Sequence, residues 1–169
     1  HIITARNQSV LQRLREDPPD RPACLLAHEI QKGPWFAYLW GEPAQLFFEL
    51  NDTVNRLVTC LHADNPRETL SILSSCGVPE RNTEAINLHL FIRNFGSTDR
   101  KHRVTNIAYG PNGSYSSIFK WDDNRDKLLK TESAESIARS LQTDSELDQE
   151  NIISRWSHYN QHLNKMIKD

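Results

Sequence analysis

The sequence predicts an α+β fold in which helices come first, a small three-stranded antiparallel sheet follows, and helices finish the chain. Three observations carry this reading. Leu46, Leu50, Val54, Leu57 and Leu61 step by four, four, three and four, which is one stripe of an amphipathic helix. After Asn87 the period drops to two, with Leu88, Leu90 and Ile92 alternating with His89, Phe91 and Arg93. Two β-rich segments, Val104–Tyr109 and Tyr115–Trp121, then flank Gly110-Pro111-Asn112-Gly113, and Asn-Gly in that setting is a strong hairpin signal. With 169 residues the chain reads as one domain: an N-terminal helix and linker (1–20), a core (21–143) and a long C-terminal helix (144–169).

Element by element, residues 2–16 read as a helix with Val10, Leu11 and Leu14 on its apolar side. Asp17-Pro18-Pro19-Asp20-Arg21-Pro22 stops it, because proline fixes φ and disfavours helix at the residue before it. Ala23–Ile30 follows Pro22 directly and reads as a second helix, placing Cys24 at its N-terminus; Gly33-Pro34 closes it. Gly41-Glu42-Pro43 then precedes the long stripe. Asn65-Pro66-Arg67-Glu68 is a helix start, with Asn65 as N-cap, Pro66 in the first turn and Glu68 reaching back, and Gly77 is a C-terminal cap. Beyond the hairpin, Ala134, Ile137, Ala138 and Leu141 form a short stripe. Ile152, Trp156, Tyr159, Leu163 and Met166 form a long one, with Asp144 as N-cap.

Composition narrows the functional classes. Hydrophobic residues are 37% and charged residues 25% of the chain, the balance of a globular domain. Lys+Arg 20 against Asp+Glu 22 gives a net charge of −2, which removes the electrostatic case for nucleic-acid binding. No apolar run approaches the roughly 20 residues of a membrane span. Three well-separated cysteines, Cys24, Cys60 and Cys76, read as reduced thiols in an intracellular reducing compartment. There is no glycine-rich phosphate loop, so no cofactor is expected. His158 and His162 share a helix face but lack a third ligand, so no metal site is expected either.

Catalytic chemistry points first to Cys24, since a helix N-terminus stabilises thiolate. His28, four residues on, is one possible base for it. The other is His102, which precedes one hairpin strand, while Asp122 closes the other; pairing across the Asn-Gly turn would make those two neighbours, the acid orienting the imidazole. Helix-borne Cys24, then Lys101-His102-Arg103-Val104, then Phe119-Lys120-Trp121-Asp122-Asp123-Asn124 and a helix from Ser133 to Leu141 together resemble the papain-like cysteine peptidases found among secreted bacterial effectors. The resemblance covers residues 22–142. It implies a papain-like topology, with Cys24 as nucleophile, His102 as general base and Asp122 as orienter. It also implies a thiol-dependent hydrolase or transferase (a peptidase or a glutamine deamidase) acting on a protein substrate, and a protein secreted by a bacterium into host cytosol.

A second functional class rests on Trp35, Phe36, Tyr38 and Trp40, an aromatic cluster between Gly33-Pro34 and Gly41. Such a cluster serves either as core or as a substrate- or partner-binding surface. On that alternative the chain is a non-catalytic protein-interaction domain docking through residues 35–40 or through the C-terminal helix.

Overall fold

A computed structural model describes residues 1–51, 55–96, 101–110 and 113–131, and the chain divides into two units, His1–Leu129 and Lys130–Asp169. The expected stripes at 134–141 and 152–166, the cap Asp144, the pair His158 and His162, and Val54 and Asn112 all lie outside the described residues.

The first unit has α+β architecture, but it opens with parallel strands where helices were expected. Ile2–Ala5 is strand β1, and the helix predicted over residues 2–16 is confined to α1 (Gln8–Glu16). The run Ile2-Ile3-Thr4 is β-branched and suits a pleated surface. Asn7 begins α1 by accepting a hydrogen bond from the Val10 amide at 3.1 Å. The next segment, Ala23–Ala27, is strand β2 rather than a helix. A five-residue apolar run is too short for its periodicity to separate the two states, and here the parallel ladder decides. Strand β2 lies between β1 and a later strand, β5 (Asn55–Val58), with Ile2 opposite Cys24 and Cys24 opposite Arg56. The connections between these parallel strands carry α1 in one case and, in the other, the two short strands β3 (Glu29–Ile30) and β4 (Tyr38–Leu39) and helix α2 (Glu42–Glu49).

The stripe expected over residues 44–61 is thus split between α2 and β5. Leu46 and Leu50 are buried with α2, whereas Leu57 sits in β5 and Leu61 beyond it. Helix α2 ends at its C-cap Leu50, and Leu57 belongs to a strand, so a coincident spacing does not make one helix.

Helix α3 (Pro66–Ser75) forms as its caps predict. The Asn65 side chain accepts from the Glu68 amide at 3.0 Å, and Glu68 reaches back to the Asp64 amide at 2.8 Å. At its other end Gly77 takes φ of 85°. Its amide bonds to the Ser74 carbonyl while that of Val78 bonds to Leu73, the paired pattern of a Schellman cap. Short helix α4 (Glu80–Thr83) leads into the second sheet.

That sheet is an antiparallel meander of four strands rather than three: β6 (Leu88–Phe95), β7 (Lys101–Tyr109), β8 (Ser116–Asp122) and β9 (Lys127–Lys130), in that order. The β7–β8 hairpin is present, with Tyr109 opposite Ser116 and Asn106 opposite Lys120.

One core serves the parallel sheet and its helices. Leu11, Leu25, Ile30, Leu39, Phe47 and Leu73 are fully buried, each contributing about 1.5–3 kcal/mol of burial free energy. Along β2 the side chains of Ala23, Leu25 and Ala27 enter this core, while Cys24 and Leu26 point to the opposite face.

Candidate functional site

The residues expected to form a triad are not brought together. Cys24 lies within β2, where there is no helix terminus to stabilise a thiolate, and its backbone amide donates to the His1 carbonyl at 2.8 Å. His28 is four residues farther along extended chain, about 13 Å away at strand rise, and not one helical turn. His102 is inside β7 rather than before it, opposite Asn94 of β6. The β7–β8 register sets Asn106 opposite Lys120, so its continuation brings Asp122 level with Val104, two residues short of His102.

Asp122 has a different task. Its Oδ1 accepts from the amides of Asn124 (3.0 Å) and Arg125 (3.3 Å), which shapes the turn into β9. No hydrogen bond joins any two of Cys24, His102 and Asp122.

The aromatic cluster is divided between core and surface. Trp40 packs against the core and Tyr38 is half-buried in β4, whereas Trp35 and Phe36 are exposed, Phe36 at 70%. The Trp35 ring lies edge-on to His28 at 4.3 Å and to Tyr38 at 5.1 Å. These ring contacts leave Trp35 41% exposed.

A second assembly of chemically capable side chains lies where β2 and β5 end. From the β2 side comes Glu29, whose side chain is only 12% exposed; from the β5 side comes His62, whose Nε2 is 3.0 Å from Glu29 Oε1. Between them in sequence, Cys60 donates its thiol to the His28 carbonyl at 2.7 Å, and its own carbonyl accepts from the Ile30 amide. Although Cys60 is exposed as a residue, partial burial of its sulfur, with the Glu29 carboxylate nearby, pushes the thiol up from its ordinary value, so the sulfur is protonated at neutral pH.

Cys60 and His62 border a cleft of about 370 Å³. One wall carries Cys60, His62, Asp64 and Glu68, and the other carries Leu90 and Ile92 of β6. Asp64 and Arg93 form an exposed ion pair at 3.7 Å beside it. Among the described residues, no group of three or more His, Cys, Asp and Glu side chains is arranged to hold a metal ion, and no helix is long and apolar enough to cross a membrane.

The opposite wall belongs to a larger feature. Leu88, Leu90 and Ile92 point to one face of β6 and are 49%, 54% and 61% exposed. The ladder places Tyr109, Ile107 and Val104 of β7 beside them, and Phe119 of β8 next to Ile107, all partly accessible. The other face of β6 buries His89 and Phe91 against Ala108 of β7. Both faces of the sheet are therefore apolar at this end, and the more aliphatic one is the more exposed. Sequence reasoning found the alternation but had no signal for which face would be covered. It passed over the Glu29–His62 pair as well, since 33 positions separate its members and neither stands in a motif.

No protein-family model and no curated protein matches the chain.

Proposed function

We propose that the first unit is a protein-binding module that engages its partner through the aliphatic face of the second sheet. One observation carries the reading: Leu88, Leu90 and Ile92 form an exposed row on β6, continued by Ile107, Tyr109 and Phe119. Antiparallel sheets in water ordinarily turn one apolar face inward and a polar face outward. A contiguous exposed apolar patch on a soluble domain marks an interaction surface more often than chance exposure does. The exposed Trp35 and Phe36 are a second anchor of the type that dominates binding energy at interfaces.

A thiol-dependent hydrolase or transferase is the second reading, and the Glu29–His62 contact favours it, since a buried carboxylate orienting an imidazole beside a cysteine is the pattern of an assisted nucleophile. It ranks lower because the Cys60 hydrogen is donated to a main-chain carbonyl and its pKa is raised, both of which oppose thiolate.

Selection of a random-peptide display library on the immobilised chain tests the binding reading, with an Ile92→Asp variant as counter-target. Peptides that bind the chain and not the variant are the expected result. A library yielding no such peptide overturns it. Loss of a measurable amidase or transferase activity on Cys60→Ala would favour the second reading instead.

A further inference from the structure

We infer that the cleft between residues 60–68 and β6 receives an extended polypeptide segment in which aliphatic and basic side chains alternate. This rests on the protein-binding reading and specifies its partner. The two walls differ in chemistry. Leu90 and Ile92 offer aliphatic surface that is more than half exposed, and neither is engaged in the core. Lining the same cleft are Asp64, 72% exposed, and Glu68, also exposed. Among the described residues, Arg93 is the one permanent cation paired to these carboxylates, and its 3.7 Å contact with Asp64 is long and open to solvent. Two lining carboxylates against one such cation leave the wall negative, so a complementary ligand is positively charged.

The shape of the ligand follows from the strand. Leu90 and Ile92 are two residues apart on β6, about 7 Å, the spacing between alternate side chains of any extended chain. A segment running along β6 places every second side chain on this aliphatic row and turns the intervening ones away from it. Lysine or arginine at those intervening positions is long enough to reach Asp64 and Glu68 while laying its methylene stem along apolar surface. An anionic partner would meet like charge, and a wholly apolar one would leave the carboxylates desolvated and unpaired.

The test is amide chemical-shift perturbation of the full chain by two capped hexapeptides, one alternating Val and Lys, the other Val and Glu. The Val-Lys peptide is expected to shift amides at residues 60–64, 68, 90 and 92. Its binding should weaken about fivefold in an Asp64→Asn, Glu68→Gln double variant, within the range of two exposed ion pairs. The Gln retains the acceptor that caps α3. Binding should weaken about tenfold in Ile92→Ser, with retained circular dichroism showing that each variant folds. Equal binding of both peptides at these amides, or peptides from the display selection that carry no basic residues, overturns the basic-partner inference and leaves the binding module standing. Perturbation by Val-Lys only at other amides places its site elsewhere and overturns the inference. If neither hexapeptide binds and the display selection is also empty, both readings fall.

Discussion

The Nε2 of His62 lies 3.0 Å from Oε1 of Glu29, pairing an imidazole that is 90% exposed with a carboxylate that is 12% exposed. The contact ties the segment after β5 to the segment after β2 and so fixes one wall of the cleft. Replacing His62 by alanine is expected to lower stability by only about 0–1 kcal/mol, the ordinary size of a solvent-facing pair. The larger effect should be on order. Relaxation measurements should show faster backbone motion in residues 60–64 of the variant, and unchanged motion there would show that the pair does not fix this wall.

Burial lowers the pKa of His89, whose ring packs on Phe91 and against Tyr115 and whose Nε2 has no hydrogen-bond partner. The folded chain therefore resists protonation where the unfolded chain accepts it. Stability from this residue is complete above its ordinary value of 6.5 and falls as pH drops from there toward the lowered folded value. Urea midpoints at pH 7.5 and 5.5 should differ less in His89→Phe than in the parent chain. An equal difference in the two proteins would remove His89 as the cause.

Gly77 is required by its backbone conformation. Its φ of 85° belongs to the left-handed region, and a Cβ there would also displace the amide end of Gln45, which donates to the Cys76 carbonyl. Gly77→Ala should cost about 1–3 kcal/mol by urea denaturation, whereas Gly→Ala at a relaxed site would be neutral or stabilising.

Phe47 is fully buried in α2, edge-to-face with Phe48 at 5.5 Å. Truncation to alanine should cost about 3–5 kcal/mol. A loss below about 1 kcal/mol in thermal or urea unfolding would mean that the core around α2 is not packed as described.

The cysteines should differ in alkylation. Cys76 is 3% exposed, with its thiol donated to the Leu73 carbonyl and its pKa raised by burial, so it should react with iodoacetamide only after denaturation. Cys60 is exposed yet held protonated, so it should react in the native chain, slowly at pH 7 and faster as pH rises toward and beyond 9.0. Mass spectrometry of labelled peptides reads both.

Capping and hairpin signals in the sequence were accurate, whereas apolar periodicity and the pairing of distant strands were not. Asn65, Glu68 and Gly77 cap α3 because capping depends on residues within one helical turn. The β7–β8 hairpin formed for the same reason, its pairing being set by neighbours in sequence. Ala23–Ala27 was misread because its ladder partners, Ile2–Ala5 and Asn55–Val58, lie more than twenty positions away, and the run itself fits either state. That single misreading carried Cys24 onto a helix it does not occupy. The cleft was out of reach for a related cause: its walls come from the loop after β5 and from β6, and no local pattern announces their meeting. His28 reads in the sequence only as a companion to Cys24, whereas the carboxylate of its neighbour Glu29 contacts His62.

The two sheets also impose an order on how the chain acquires structure. Within the meander, β6 and β7 begin to pair at Phe95 and Lys101, six positions apart, so each strand can zip onto the one before it. The parallel sheet must instead close spans of 22 residues between Ile2 and Cys24 and 32 between Cys24 and Arg56 before any ladder forms. Pulse-labelled hydrogen exchange during refolding should accordingly protect amides of 88–109 ahead of those of 23–27. During that interval the aliphatic row of β6 is already assembled while the segments that flank it are not.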